Sequence, residues 1–206
     1  MKTKKIRSYS DFSLDDLRNL FDIDNKKADL NLKSAKEIVP SEILLETIRT
    51  NKKLPINSEK ARSELLITPV LVEWLFRQNE GKLQYFSGNT FEVSKEKALT
   101  GRCDFLFTKH FSVDIVAPVV AMFEAKDDNV DNWYGQCGAE MYAAKLFNEQ
   151  KNEPYKIIYG AVTDGYEWVF LRLEENMLLI DNERYYLQNL PVLLGALQTV
   201  ISFYDN

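Results

Sequence analysis

Residues 118–126 read PVVAMFEAK. The apolar run from Val119 to Phe123 has the character of a buried strand, and its one proline stands at the first position, where a strand tolerates it. Side chains two apart on a strand face the same side. Glu124 and Lys126 therefore leave the run together, opposite Phe123 and Ala125. An unpaired buried carboxylate or ammonium is costly. Side by side the two partly neutralise each other. As an exposed edge pair they would contribute only about 0–1 kcal/mol.

The rest of the chain supplies the setting. Residues 1–57 read as a helical appendage and linker: Ser13 can cap a helix carrying Leu17, Leu20 and Phe21, a second short helix follows Pro40-Ser41, and TNKKLPIN (50–57) is polar and proline-broken. From Ser58 to about Gln78 a helix is expected, capped by Ser58 or Asn57 and apolar nearly all round between Leu65 and Phe76, which marks it as buried. Pro69 either kinks it or starts a second helix. Glu64 stands at the entrance to this apolar stretch, and Glu59 competes with it for any role at the helix start. Strands follow at FEVS (91–94), RCDFLF (102–107) and 118–126. A helix over 129–150 has Trp133, Cys137, Met141 and Ala144 at helical spacing. Two strands flanking Asp164-Gly165 form a hairpin, MLLI (177–180) is a further strand, and an amphipathic helix from Val192 to Tyr204 closes the chain. The order of helices and strands predicts a mixed α/β (α+β) domain over 58–206, a mixed central sheet with helices on its faces.

Asp104 lies inside RCDFLF, twenty positions before Glu124. Antiparallel neighbours joined by a loop of that length can set the two carboxylates side by side, where they repel unless a cation sits between them. A divalent cation with oxygen ligands suits such a pair, and Mg²⁺ is satisfied by one or two carboxylates plus waters. Lys126 would then stand near the metal, able to stabilise developing charge on a phosphate or to position a water. Gln136 and Glu140 share one face of the following helix at i, i+4. Trp133 and Tyr134 read as core and rim aromatics, with base stacking as the functional alternative. Cys103 and Cys137 read as small core residues turned away from the site.

Asp104, then Glu124-Ala125-Lys126 on the next strand, then a helix bearing Gln136, all preceded by a buried helix with Glu64, resembles the PD-(D/E)XK nuclease superfamily. The phrases SEKARSELLITPVL, GRCDF, FEAK and QCGAEMYAA are similar to a bacterial, notably cyanobacterial, group within it. The resemblance covers residues 58 to about 172. It implies a restriction-endonuclease-like core and Mg²⁺- or Mn²⁺-dependent hydrolysis of DNA phosphodiesters. It further implies that Asp104 and Glu124 hold the metal, Glu64 reaches it directly or through water, Lys126 orients or activates the attacking water, and Gln136 supports the site. Two departures are visible. Cys103 precedes Asp104 where the motif's name has proline, and Glu140 stands where many members with a glutamine helix carry tyrosine.

Composition narrows the function classes. The net charge of −5 gives no global basic signal for nucleic acid, so DNA binding would rest on a local patch drawn from Lys82, Lys95, Lys97, Arg102 or Lys109. The basic start (Lys2, Lys4, Lys5, Arg7) reads as a solvated tail. One histidine and two lone cysteines argue against a structural zinc site and fit a reducing cytoplasm. No apolar run approaches the ~18 residues of a membrane span. A non-catalytic module that keeps the fold and binds a protein partner or nucleic acid is the competing function, and a homodimer is compatible with either.

Overall fold

The structure is a computed structural model and describes residues 6–33, 35–78 and 83–204. In chain order the elements are helix α1 (Leu14–Phe21), strand β1 (Asp24–Ala28), helix α2 (Glu42–Asn51), helices α3 (Glu59–Arg62) and α4 (Thr68–Val72), strands β2 (Gln84–Ser94), β3 (Leu99–Thr108) and β4 (Val119–Ala125), helix α5 (Tyr134–Gln150), strands β5 (Ile157–Thr163), β6 (Glu167–Glu174), β7 (Met177–Asp181) and β8 (Tyr185–Tyr186), and helix α6 (Leu190–Ser202). The strands form one mixed sheet in the order β1-β7-β6-β5-β4-β3-β2, with β8 pairing β6. Helices cover both faces. Val70, Leu71 and Trp74 pack with Leu194 and Leu197 of α6 against Phe107, Phe123 and Phe170 on one side. Cys137, Met141 and Ala144 of α5 pack with Leu17 of α1 against Met122, Ile158 and Val162 on the other.

β4 shows why its sequence is apolar at nearly every position. It lies between β3, antiparallel, and β5, parallel, and all seven of its residues are buried. A parallel pair needs a crossover, and α5 supplies it. The backbone of β5 comes close to this helix: a Cβ on Gly160 would stand 2.5 Å from Met141 Sδ and 2.9 Å from Cys137 Sγ.

Helix starts follow their caps. Ser13 accepts from the Asp16 amide while Asp16 reaches back to the Ser13 amide, and Ser58, not Asn57, caps α3. From Glu59 to Gln78 the chain stays helical, with wider π-helical turns at Ser63–Ile67 and Glu73–Gln78. Pro69 lies inside this helical run just after a π turn, and the Leu65 carbonyl four residues back, which a proline cannot serve, accepts instead from Asn51 Nδ2 at 2.8 Å. The β5–β6 hairpin closes with the Asp164 amide bonded to the Glu167 carbonyl at 3.2 Å. Its two turn residues are thus Gly165, at φ +87°, and Tyr166, one position later than the sequence suggests.

The segment read as an N-terminal appendage is woven into the same fold. β1 joins the sheet edge parallel to β7. Tyr9 is buried and donates to the Phe91 carbonyl at 2.9 Å. Leu30, Leu32, Leu44 and Ile48 belong to one core layer and Leu17 and Ile23 to the other. The boundary at residue 57 therefore does not separate two cores.

Gly135, in the first turn of α5, marks the tightest of these joints. A Cβ there would lie 2.5 Å from the Phe12 carbonyl oxygen and 2.6 Å from Ser13 Cα, and neither backbone atom can swing aside. Alanine would gain about 1 kcal/mol of helix propensity, but overpacking costs about 1–3 kcal/mol and here displaces backbone. Gly135→Ala is expected to lower the urea midpoint of unfolding and to raise proteolytic sensitivity before residue 22, whereas a midpoint at or above wild type would show that the N-terminal segment is not docked this way.

Candidate functional site

The antiparallel register of β3 and β4 pairs Phe105 with Phe123. One step further on lie Asp104 and Glu124. Asp104 accepts the Ala125 amide through Oδ2 at 2.8 Å, bracing β3 to β4 where the ladder ends. On the other side the Lys126 amide donates to the Thr163 carbonyl at 2.8 Å, so β5 holds the backbone beyond β4. Both flanks of Glu124-Ala125-Lys126 are thereby fixed.

The Glu124 side chain is 0% exposed and the Lys126 side chain 8%, with Nζ 3.1 Å from Glu124 Oε2. Two further groups surround the ammonium. Glu59 Oε2 lies 3.9 Å away, and the Trp133 ring centre is 4.5 Å away. Burial works against the ammonium charge, but Glu124, Asp104 and Glu59 together hold Lys126 above the usual lysine range.

α5 adds the amide and a second carboxyl. Gln136 Nε2 donates to Glu124 Oε2 at 2.6 Å and to Glu140 Oε1 at 3.1 Å. Glu140 is fully buried. Glu124 Oε1, Gln136 Oε1 and Glu140 Oε2 have no hydrogen-bond partner among the described residues. Burial, then the charge of Glu124, pushes Glu140 well above the carboxylate range. Glu140 is therefore held protonated and neutral beside Glu124. Burial and then Asp104 raise Glu124 to about 7, against the opposing effects of Glu140 and Lys126.

Of the carboxylates suggested by sequence, Asp104 and Glu124 meet and Glu64 does not join them. Glu64 has a 64% exposed side chain and pairs with Lys60 at 3.7 Å, one turn back on its own helix. Glu59, at the capped start of α3, is the helix carboxylate that reaches Lys126, because this helix start lies at the C-terminal ends of β4 and β5: Arg62 binds Asp164 at 3.2 Å there. Burial raises Glu59, opposed by Lys126 and reinforced by Asp104, Asp127 and Asp128. The mouth of the site is therefore acidic. The basic residues are dispersed: Lys95 pairs with Glu92 at 3.4 Å, Lys109 donates to the Tyr204 carbonyl, Arg102 lies beneath Gly88, and Lys82 lies outside the described residues. Both cysteines are buried and free. Cys103 packs in the same core layer as Cys137, and after burial Glu140 and then Glu124 raise both thiols.

Among the described residues no group of three or more histidine, cysteine, aspartate or glutamate side chains gathers to hold a metal. Two carboxylates are nevertheless enough for Mg²⁺ or Mn²⁺, which complete their shells with water and substrate oxygens. Asp104 commits one oxygen to Ala125 and Glu124 Oε1 has no hydrogen-bond partner among the described residues, so the donor set fits a hard divalent cation. No protein-family model matches the chain, and no curated protein does either.

Glu124 and Glu140 bind protons in the fold that they release in the unfolded chain above their ordinary value of 4.5. Their stabilising contribution is present below that value and is lost as pH rises through the folded values. The melting temperature of metal-free protein is expected to fall between about pH 5 and about pH 8 on account of this pair. Glu140→Gln should flatten the decline, and an unchanged slope in differential scanning calorimetry would contradict a protonated Glu140.

Proposed function

We propose that the chain is a Mg²⁺- or Mn²⁺-dependent nuclease with a restriction-endonuclease-like fold of the PD-(D/E)XK kind, hydrolysing DNA phosphodiester bonds. The observation that carries this reading is the buried Glu124–Lys126 pair at 3.1 Å, placed at the end of an inner strand with Asp104 alongside. Asp104 and Glu124 would hold the cation, which would supply charge neutralisation at the phosphate and a lowered pKa for a bound water. Gln136 fixes the Glu124 carboxylate from α5. Lys126 is held charged by its carboxylate neighbours, so it acts as a donor that positions water or steadies a phosphate oxygen, and not as a base. Glu59, not Glu64, would be the acidic neighbour from the helical layer.

A second reading has its own support. An apolar groove of about 1090 Å³ lies between α2 and α4, lined by Val39, Ile43, Pro69, Val72 and Phe76 among others. Such a surface suits a catalytically inactive nuclease-like module that binds a protein partner, and the groove contains none of the site residues.

Calorimetric titration with Mn²⁺, beside plasmid nicking, separates the two. Wild type is expected to bind the ion and nick DNA only in its presence, Asp104→Ala to lose both, and Lys126→Ala to keep ion binding while losing at least about 100-fold in rate. Glu64→Ala should cleave at the wild-type rate. Absence of ion binding even with DNA present would remove the catalytic reading and leave the partner-binding module.

A further inference from the structure

We infer that Trp133 is a positioning residue for Lys126, holding its ammonium over the carboxylates while leaving it free to donate. The inference rests on the nuclease reading for its catalytic consequence, but not for its geometry. An ammonium has three N–H donors. Glu124 takes one at 3.1 Å. Glu59, at 3.9 Å, lies beyond hydrogen-bond distance. Among the described residues a further contact is the face of Trp133, 4.5 Å from Nζ to the ring centre. An aromatic face attracts a cation through its quadrupole without occupying a donor as a carboxylate oxygen would. Lys126 is thus restrained on a nearly dry flank yet keeps N–H groups for a water or a phosphate oxygen.

The ring is itself held. Trp133 Nε1 donates to Asp128 Oδ1 at 2.5 Å, so the segment from Lys126 to Trp133 closes on itself as a clamp of three side chains at i, i+2 and i+7. Trp74 and Trp168 are fully buried in the core, whereas Trp133 is only half-buried. Asp128 is exposed, which makes its removal a mild way to loosen the ring.

Ring-current shifts of the Lys126 side chain, read by NMR on metal-free protein, test the geometry without any activity. The ε-methylene protons are expected upfield in wild type and in Trp133→Phe, near ordinary lysine values in Trp133→Leu, and intermediate in Asp128→Ala. Kinetics test the role: at saturating Mg²⁺, Trp133→Leu should lower the nicking turnover about tenfold with KM for plasmid unchanged, and Trp133→Phe should recover most of it. Equal turnover in the leucine and phenylalanine variants would reduce Trp133 to packing and overturn the inference, with wild-type cleavage still supporting the nuclease reading. A wild type that does not cleave would remove that reading, while the shift pattern alone decides whether the clamp exists. Should Trp133→Leu fail to fold, Asp128→Ala carries the same comparison, and a wild-type shift and turnover in that variant would equally overturn the clamp.

Discussion

A carboxylate with no exposed surface has to be neutralised, paired or hydrogen-bonded where it stands, and Glu124 obliges its neighbours to do all three. Lys126 supplies the charge and Gln136 the amide, which also bonds a neutral Glu140. Each comes from a position set by a different part of the fold. Lys126 is held by β5 through its amide, Gln136 and Glu140 ride one turn apart on α5, and Asp104 is delivered by β3. A shift of any of these elements would leave a buried charge uncompensated. Buried ion pairs are nonetheless poor stabilisers, since apolar replacements of similar size are often neutral or better. An apolar strand that ends in such a pair gains little stability from it, and this is why we read it as a site.

The crossover helix links that site to the periphery of the chain. α5 approaches β5 so closely that Gly160 leaves room for Met141 and Cys137 alone, and its first turn is met by the backbone of residues 12–13 at Gly135. Gln136 is the next residue. The docking of the N-terminal segment therefore bears on the orientation of the amide that holds Glu124, and the segment belongs to the site's support even though none of its side chains reaches the carboxylates by a hydrogen bond among the described residues.

Much of this was legible in the sequence because it is written in local pattern. The apolar run of β4 and the cap at Ser13 follow from periodicity and spacing, which also allowed Ser58 as one of two caps and Asp104 beside Glu124; the helix through Trp74 is buried only on its inner side, since Val72 and Phe76, read as part of an all-round buried stretch, are exposed at the groove beside α2. What was not legible depends on tertiary placement. β1 reads DNKKA and has no strand pattern, because an edge strand in parallel pairing takes its place from hydrogen bonds to β7 and needs few apolar residues. Glu64 and Glu59 lie on the same helix, and only the way α3 begins at the C-terminal ends of β4 and β5 turns Glu59 toward Lys126 and leaves Glu64 in solvent. The burial of Glu140 and the cation–π contact of Trp133 are likewise invisible until α5 is laid on the sheet.

Electrostatics then constrain how a phosphate could enter. Asp104, Asp127 and Asp128 all act on Glu59 near the mouth, opposed there by Lys126, and the chain as a whole carries −5. Without added positive charge, a polyanion is repelled from the residues that would act on it. In the nuclease reading a divalent ion held by Asp104 and Glu124 would offset much of this negative charge, and because such a field is screened within about 10 Å at moderate salt, the offset would matter most at the site itself. On that reading the cation would therefore serve binding as well as chemistry, since the acidic mouth by itself opposes the approach of a polyanion.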